Sequence, residues 1–255
     1  MTLADFLISL AIAIAAVLYS VWRNRTRRKV EPIPGPRPPG IDDRTLLTPP
    51  VPFGYKTAWF AIRSTDMRAV ATALRLVNPQ PAGWQYGIWH SVEKRDYQIF
   101  VTPPINGWIL AVGLPILWEA DHHATERMVE LSEQFGEVQF FGSMRISDVA
   151  IWARARNGRM LRRFYEGDGN RQEFGAKTDE EQALGLQFFD SASPESKNPE
   201  YWKRKDLTYP GEETVLQVAG VWSVDPSKLD QMGLPQEAGQ LGAVAEGWEP
   251  KPIFP

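Results

Sequence analysis

The chain has 255 residues, 43% of them hydrophobic, with 28 Lys and Arg against 31 Asp and Glu and a formal net charge of −3. It contains no Cys, which excludes disulfides, thiolate catalysis and thiolate metal sites. Setting aside Asp5 and the five basic residues at 23–29 leaves −7 on residues 30–255, and an acidic body of that kind argues against nucleic acid as a partner.

The first element is Phe6 to Trp22, 17 residues without a charge. As a helix it is roughly 26 Å long, at the short end of what crosses a bilayer. Apolar on every side, it has no stripe for water. Arg23, Arg25, Arg27, Arg28 and Lys29 follow it at once, whereas only Asp5 precedes it. Positive charge stays on the cytoplasmic side of a membrane segment. The pattern predicts a single-pass anchor, residues 1–29 with the basic flank, that engages the lipid bilayer through residues 6–22 and leaves the following domain in the cytoplasm. A cleavable signal peptide needs a basic start that this sequence lacks. A buried helix is the remaining alternative.

Residues 30–52 are rich in proline and predict an extended, semi-rigid linker. Pro36 and Pro39 also have the spacing of a ligand for a partner domain. A globular domain is expected over 53–230. Thr57 to Arg63 reads as a strand. Ser64, Thr65 and Asp66 are cap types for a helix to about Leu76, stopped by Asn78-Pro79-Gln80-Pro81. Gln85 to Val92 reads as a further strand, and Tyr97 to Thr102 and Trp108 to Gly113 as stronger ones. Glu119 to Phe135 is expected to be helical, with Met128, Leu131 and Phe135 as its buried stripe. Glu137 to Met144 is the next strand.

Val149 to Arg156, Asn157-Gly158 and Arg159 to Glu166 predict a two-residue hairpin. Counting from the turn pairs Ala155 with Met160, Ala153 with Arg162, Ile151 with Phe164, Arg154 with Leu161 and Trp152 with Arg163. The Arg-rich face is expected to be wet, with Trp152 and Arg163 in a cation–π contact. Thr178 and Glu181 have capping-box spacing for a short helix. Asp190 to Pro210 reads as a long polar loop, Glu212 to Ala219 as a helix, and Asp225-Pro226 as the start of one more turn. From Gln231 to the end, 231–255, a poorly ordered tail is expected.

The segments TAWFAIRSTD, IFVTPPINGW, LSEQFGEVQFFGSMR and VAGVWSVDP together resemble an uncharacterised family of bacterial proteins, over roughly Phe53 to Leu229. The resemblance carries no catalytic residue over to this chain. It places the anchor in a bacterial inner membrane. By analogy with other small bacterial domains, it suggests an inhibitor that neutralises a toxin.

Candidate chemistry is sparse. His122 with Glu126 and Glu119 with His123 have i, i+4 spacing, but adjacent His point about 100° apart and no third ligand is evident. His90 reads as a half-buried strand residue. Asp168 to Gln172 resembles a calcium loop only at its first positions. No cofactor fingerprint is present. The remaining candidates are aromatic and Arg residues in or near turns, of the type enriched at partner hot spots: Trp84, Trp89, Trp152, Arg163 and Trp202.

These features predict an α+β fold, a mostly antiparallel sheet of about six strands with two main helices packed on it, preceded by one N-terminal transmembrane helix. They favour a membrane-anchored, non-catalytic protein-binding module, of the immunity type, without metal or cofactor. The alternatives are a membrane-tethered hydrolase using His and carboxylates, and a structural membrane-associated protein.

Overall fold

A computed structural model describes residues 46–121, 126–145, 148–167 and 169–245. The expected anchor from Phe6 to Lys29, most of the linker, His122, His123, Asp168 and residues 246–255 lie outside the described residues. Among the described residues, no helix is long and apolar enough to cross a membrane.

The fold is α+β. The described strands are β1 (Ala58–Arg63), β2 (Leu76–Ala82), β3 (Gln98–Val101), β4 (Trp108–Val112), β5 (Glu137–Met144), β6 (Val149–Arg156), β7 (Arg159–Gly167), β8 (Asn170–Phe174) and β9 (Gly239–Val244). They form one sheet of nine strands in the order β2-β9-β3-β4-β1-β5-β6-β7-β8. Its strand pairs are antiparallel. The helices are α1 (Met67–Ala73), α2 (Trp84–Ile88) running into a π-helical turn (Trp89–Glu93), α3 (Leu114–Asp121), α4 (Glu126–Phe135), α5 (Asp179–Ala183) and α6 (Glu212–Trp222).

Central strand β1 explains the layering. Its sequence AWFAIR alternates two sets of apolar side chains rather than apolar with polar, and five of its six residues are buried. A strand of that kind needs cover on both faces. Phe60 and Ile62 pack with Val70 of α1 and Leu74 at its C-terminal cap, Ile116 of α3, and Met128 and Leu131 of α4. Trp59 and Ala61 face the other way, onto Trp84 and Ile88 of α2 and Val215, Val218 and Trp222 of α6. Each fully buried aromatic here contributes about 1.5–3 kcal/mol. Helices therefore lie on both faces of the sheet, in place of the two helices on one sheet expected from sequence.

Several expectations are corrected. The first helix stops at Ala73, and Leu76 onward is β2, prolines included. Strand β2 is an edge strand paired only with β9, and a bulge lies between Val77 and Gln80. Proline is tolerated there because an edge strand has a side that needs no donor. Gln85 to Val92 is helical rather than extended. Trp84 and Ile88, one turn apart, share the apolar face that packs on the sheet, and a β-carbon at Gly87 would run into the Phe100 ring. The helix expected over 119–135 begins earlier, at Leu114, and the described residues of that span, 119–121 and 126–135, are helical. The tail expected from Gln231 contains β9, which sits between β2 and β3.

The hairpin forms, but its register slips by one after the first pair. Ala155 pairs with Met160, then Arg154 pairs with Arg162, Ala153 with Arg163, Trp152 with Phe164 and Ile151 with Tyr165, across a bulge at Leu161. One extra residue on one strand exchanges the faces of everything beyond it. The bulge sends Arg162 inward, where it is 1% exposed, instead of onto a wet face.

There it meets Glu181 of α5, itself 3% exposed. Arg162 Nε donates to both Glu181 carboxylate oxygens at 3.1 Å, and its Nη2 donates to Glu173 Oε2 at 2.9 Å. Trp152 Nε1 donates to Glu181 Oε1 at 2.9 Å, and Thr178 N to Glu181 Oε2, also at 2.9 Å. The capping box of α5 and the buried ion pair thus share one carboxylate. A second polar cluster lies on β5 and β6. Arg154 Nε and Gln139 Nε2 donate to Glu137 Oε1 at 2.7 and 2.9 Å, and Arg156 Nη2 donates to Oε2 at 2.6 Å. Burial pushes the Glu137 carboxyl up, but the hydrogen bonds from Arg154, Gln139 and Arg156 outweigh it and hold the group below the ordinary glutamate range.

Breaking a buried pair strands the surviving charge, so Glu181→Ala is expected to cost about 3–5 kcal/mol, read as a lower urea midpoint. Because the folded state holds Glu137 below its unfolded value, its contribution is present above that unfolded value and is lost as pH falls through the folded one. Glu137→Gln is therefore expected to lower the urea midpoint at pH 7 and to narrow the gap between midpoints measured at pH 7 and in acid.

Candidate functional site

A groove of about 490 Å³ opens at the β7–β8 end of the sheet. It is lined by Asp148, Glu166, Phe189, Trp202 and Tyr209, with Gly167, Gly169, Ser191 and Pro210 between them. Each wall has a sequence-level cause. Asp148 precedes β6 in the left-handed region, at φ 48°, a conformation that Asp tolerates better than most residues. Glu166 ends the inward run of β7. The aromatic walls come from the segment between α5 and α6, which leaves the sheet after Phe188.

That segment is short of regular structure but not loosely held. Phe188 bridges Thr208 in parallel, with Phe189 N to Thr208 O and Thr208 N to Gln187 O both at 3.0 Å. The Tyr201 hydroxyl accepts from Asp190 N at 2.6 Å, and Trp202 Nε1 donates to Ser196 O at 2.8 Å. Phe189 is the floor, with ring centroids 5.5 Å from Trp202 and 4.8 Å from Tyr209. Trp202 is 39% exposed and Tyr209 61% exposed, so both present a ring face or edge to solvent.

Arg171 of β8 fastens this segment to the sheet. Its Nε donates to Glu166 Oε2 at 2.6 Å and its Nη2 donates to Phe189 O at 2.6 Å. Its guanidinium also stands 5.6 Å over the Phe164 ring and 5.7 Å over the Phe188 ring. Glu166 is thereby neutralised. Among the described residues, no hydrogen bond or ion pair engages the Asp148 carboxylate.

Of the residues expected to form a partner surface, the structure places one at the groove. Trp202 is there. Trp84 is 1% exposed and meets Phe100 edge-on. Trp89 is half-buried at the start of the π-helical turn. Trp152 is 1% exposed and stacks on Phe164 at 4.0 Å. Arg163 is buried and donates to Gln172 Oε1 at 3.0 Å. Three of these five side chains, Trp84, Trp152 and Arg163, are buried, and Trp89 is half-buried, which leaves Trp202 as the exposed one. The groove's other walls, Asp148, Glu166, Phe189 and Tyr209, were missed by sequence reasoning. The available signal was the density of aromatic residues, Phe188, Phe189, Tyr201, Trp202 and Tyr209, in a stretch otherwise polar.

The chemistry of the rest of the surface is limited. His90 is helical, not in a strand, and its Nδ1 lies 2.6 Å from Asp96 Oδ2, which also accepts from Lys94 Nζ at 2.9 Å. The neighbouring Ser91 hydroxyl donates to Gly87 O at 2.7 Å, along the helix and away from the imidazole. Among the described residues, no group of three His, Asp or Glu is gathered as metal ligands. Comparison with protein-family models, curated proteins and solved structures finds no match to this chain.

Arg171→Ala removes the fastening and leaves the sheet intact. Hydrogen exchange is expected to quicken across 187–210, with strands β1, β4 and β5 keeping their protection.

Proposed function

We propose that this chain is a membrane-tethered, non-catalytic protein-binding module. In this reading Phe6 to Trp22 lies in a bacterial inner membrane, Arg23 to Lys29 holds the flank on the cytoplasmic side, and the sheet domain works from there. The observation that carries the reading is the groove. Two large aromatic rings stand exposed over a buried aromatic floor, beside a carboxylate with no partner among the described residues. Exposed rings of this kind are what protein interfaces use as anchors. A tether raises the effective concentration of such a module for partners near the bilayer. The narrower form, a toxin-neutralising role, rests on analogy with other small bacterial domains. The hydrolase alternative has no described His within the groove lining.

The test is site-specific photo-crosslinking in the native bacterium, with a photoreactive residue at position 209 or, as a control, at exposed Val221. A discrete crosslinked species is expected from 209 alone. It is expected to fade when Trp202 is changed to Ala and when residues 1–29 are deleted. Equal crosslinking from both positions, or none from 209, overturns the reading.

A further inference from the structure

We infer that the groove between the β7–β8 end and the 188–210 segment receives an arginine side chain presented by an extended basic stretch of a partner protein. This deepens the binding-module reading and rests on it.

The argument is one of charge and shape together. Asp148 stands at the mouth with no counter-charge among the described residues. Glu166 is held by Arg171, and the described residues that line the groove include two carboxylates, Asp148 and Glu166, and no Lys or Arg. A site edged in this way attracts cations and repels phosphate and carboxylate ligands, which excludes an anionic lipid headgroup or a nucleic acid as its occupant.

The aromatic walls select among cations. Trp202 and Tyr209 flank Phe189 and leave ring surface open to solvent. A planar guanidinium stacks on such faces and, in the same pose, forms a two-point contact with a carboxylate. A lysine ammonium is more strongly hydrated and offers neither the stacking plane nor the fork. The protein already uses this chemistry internally, where Arg171 stands over Phe164 and Phe188 while gripping Glu166. Asp148 and the exposed side chains of Trp202 and Tyr209 line one groove, so a guanidinium entering it meets a carboxylate and aromatic rings together. The groove volume of about 490 Å³ exceeds that of a single guanidinium, which leaves room for the neighbouring residues of the segment.

The test uses the full-length chain and three fluorescent peptides of alternating Gly with Arg, Lys or citrulline, read by anisotropy. Citrulline keeps the shape of arginine and removes its charge. The arginine peptide is expected to bind with the lowest Kd, the lysine peptide about fivefold more weakly, and the citrulline peptide at least about tenfold more weakly. Asp148→Asn is expected to weaken the arginine peptide about tenfold, whereas Asp230→Asn, the same charge change at an exposed site outside the groove, leaves it unchanged. Tyr209→Ala, at a largely exposed side chain, is expected to cost about fivefold and avoids the fold disturbance that Trp202→Ala risks. Equal losses from Asp148→Asn and Asp230→Asn reduce the binding to general attraction and overturn the inference. So does equal binding of the citrulline peptide. If the peptides fail while the crosslink from position 209 persists, the arginine assignment is wrong and the binding-module reading stands. If both fail, the groove is not a binding site.

Discussion

The constraint on which the structure depends is the two-sided burial of β1. Its residues have no face to give to water, so the sheet needs cover on both sides. The helices α1, α3 and α4 supply one layer, and α2 and α6 supply the other. The antiparallel neighbours β4 and β5 inherit the same demand, since they pair directly with β1 and their side chains enter the same two cores. A sheet of this kind has its stability concentrated in the middle and can tolerate irregular edges.

The candidate site arises where the second layer runs out of long helix. Beyond α6, the rings of Trp152 and Phe164 are covered by the short α5 and by Leu184, Leu186 and Phe188. The Arg162–Glu181 pair fixes α5 over this region, and Arg171 fixes the segment that follows. Aromatic residues that begin as cover for the sheet continue past its edge as Phe189, Trp202 and Tyr209. The groove is thus the outer margin of a core, held by buried ions, rather than a separately built pocket. Such an origin gives a rigid floor and exposed walls, the combination that a recognition surface needs.

The central strands were legible in the sequence. Thr57 to Arg63 and Trp108 to Gly113 announced themselves by apolar runs rich in aromatic and β-branched residues, Glu137 to Met144 by Val138, Phe140 and Phe141, and the Asn157-Gly158 turn and the Thr178–Glu181 capping box by local chemistry. What escaped was tertiary in origin. An edge strand through Pro79 and Pro81 contradicts local propensity and exists because β9 arrives to pair with it. Gln85 to Val92 mixes aromatic and β-branched residues as a strand does, yet its helical spacing of Trp84 and Ile88 is what the sheet beneath selects. The hairpin's faces turned on one bulged residue, Leu161, which no count from the turn reveals. The groove was invisible for the same reason: Asp148 and Tyr209 lie far apart in the chain, and only the closing of the sheet brings them together.

Strand β9 carries one more consequence. Leu76 on β2 and Gln98 on β3 find their partners in Val244 and Ala243, at the far end of the described chain. During synthesis β2 and β3 therefore leave the ribosome ahead of their shared partner, and they wait until Gly239–Val244 emerges before that side can close. Late closure of this kind slows folding and exposes bare β-edges in the interval. The prolines and bulge of β2 blunt one of those edges during the wait, which gives them a role in the nascent chain as well as in the finished protein.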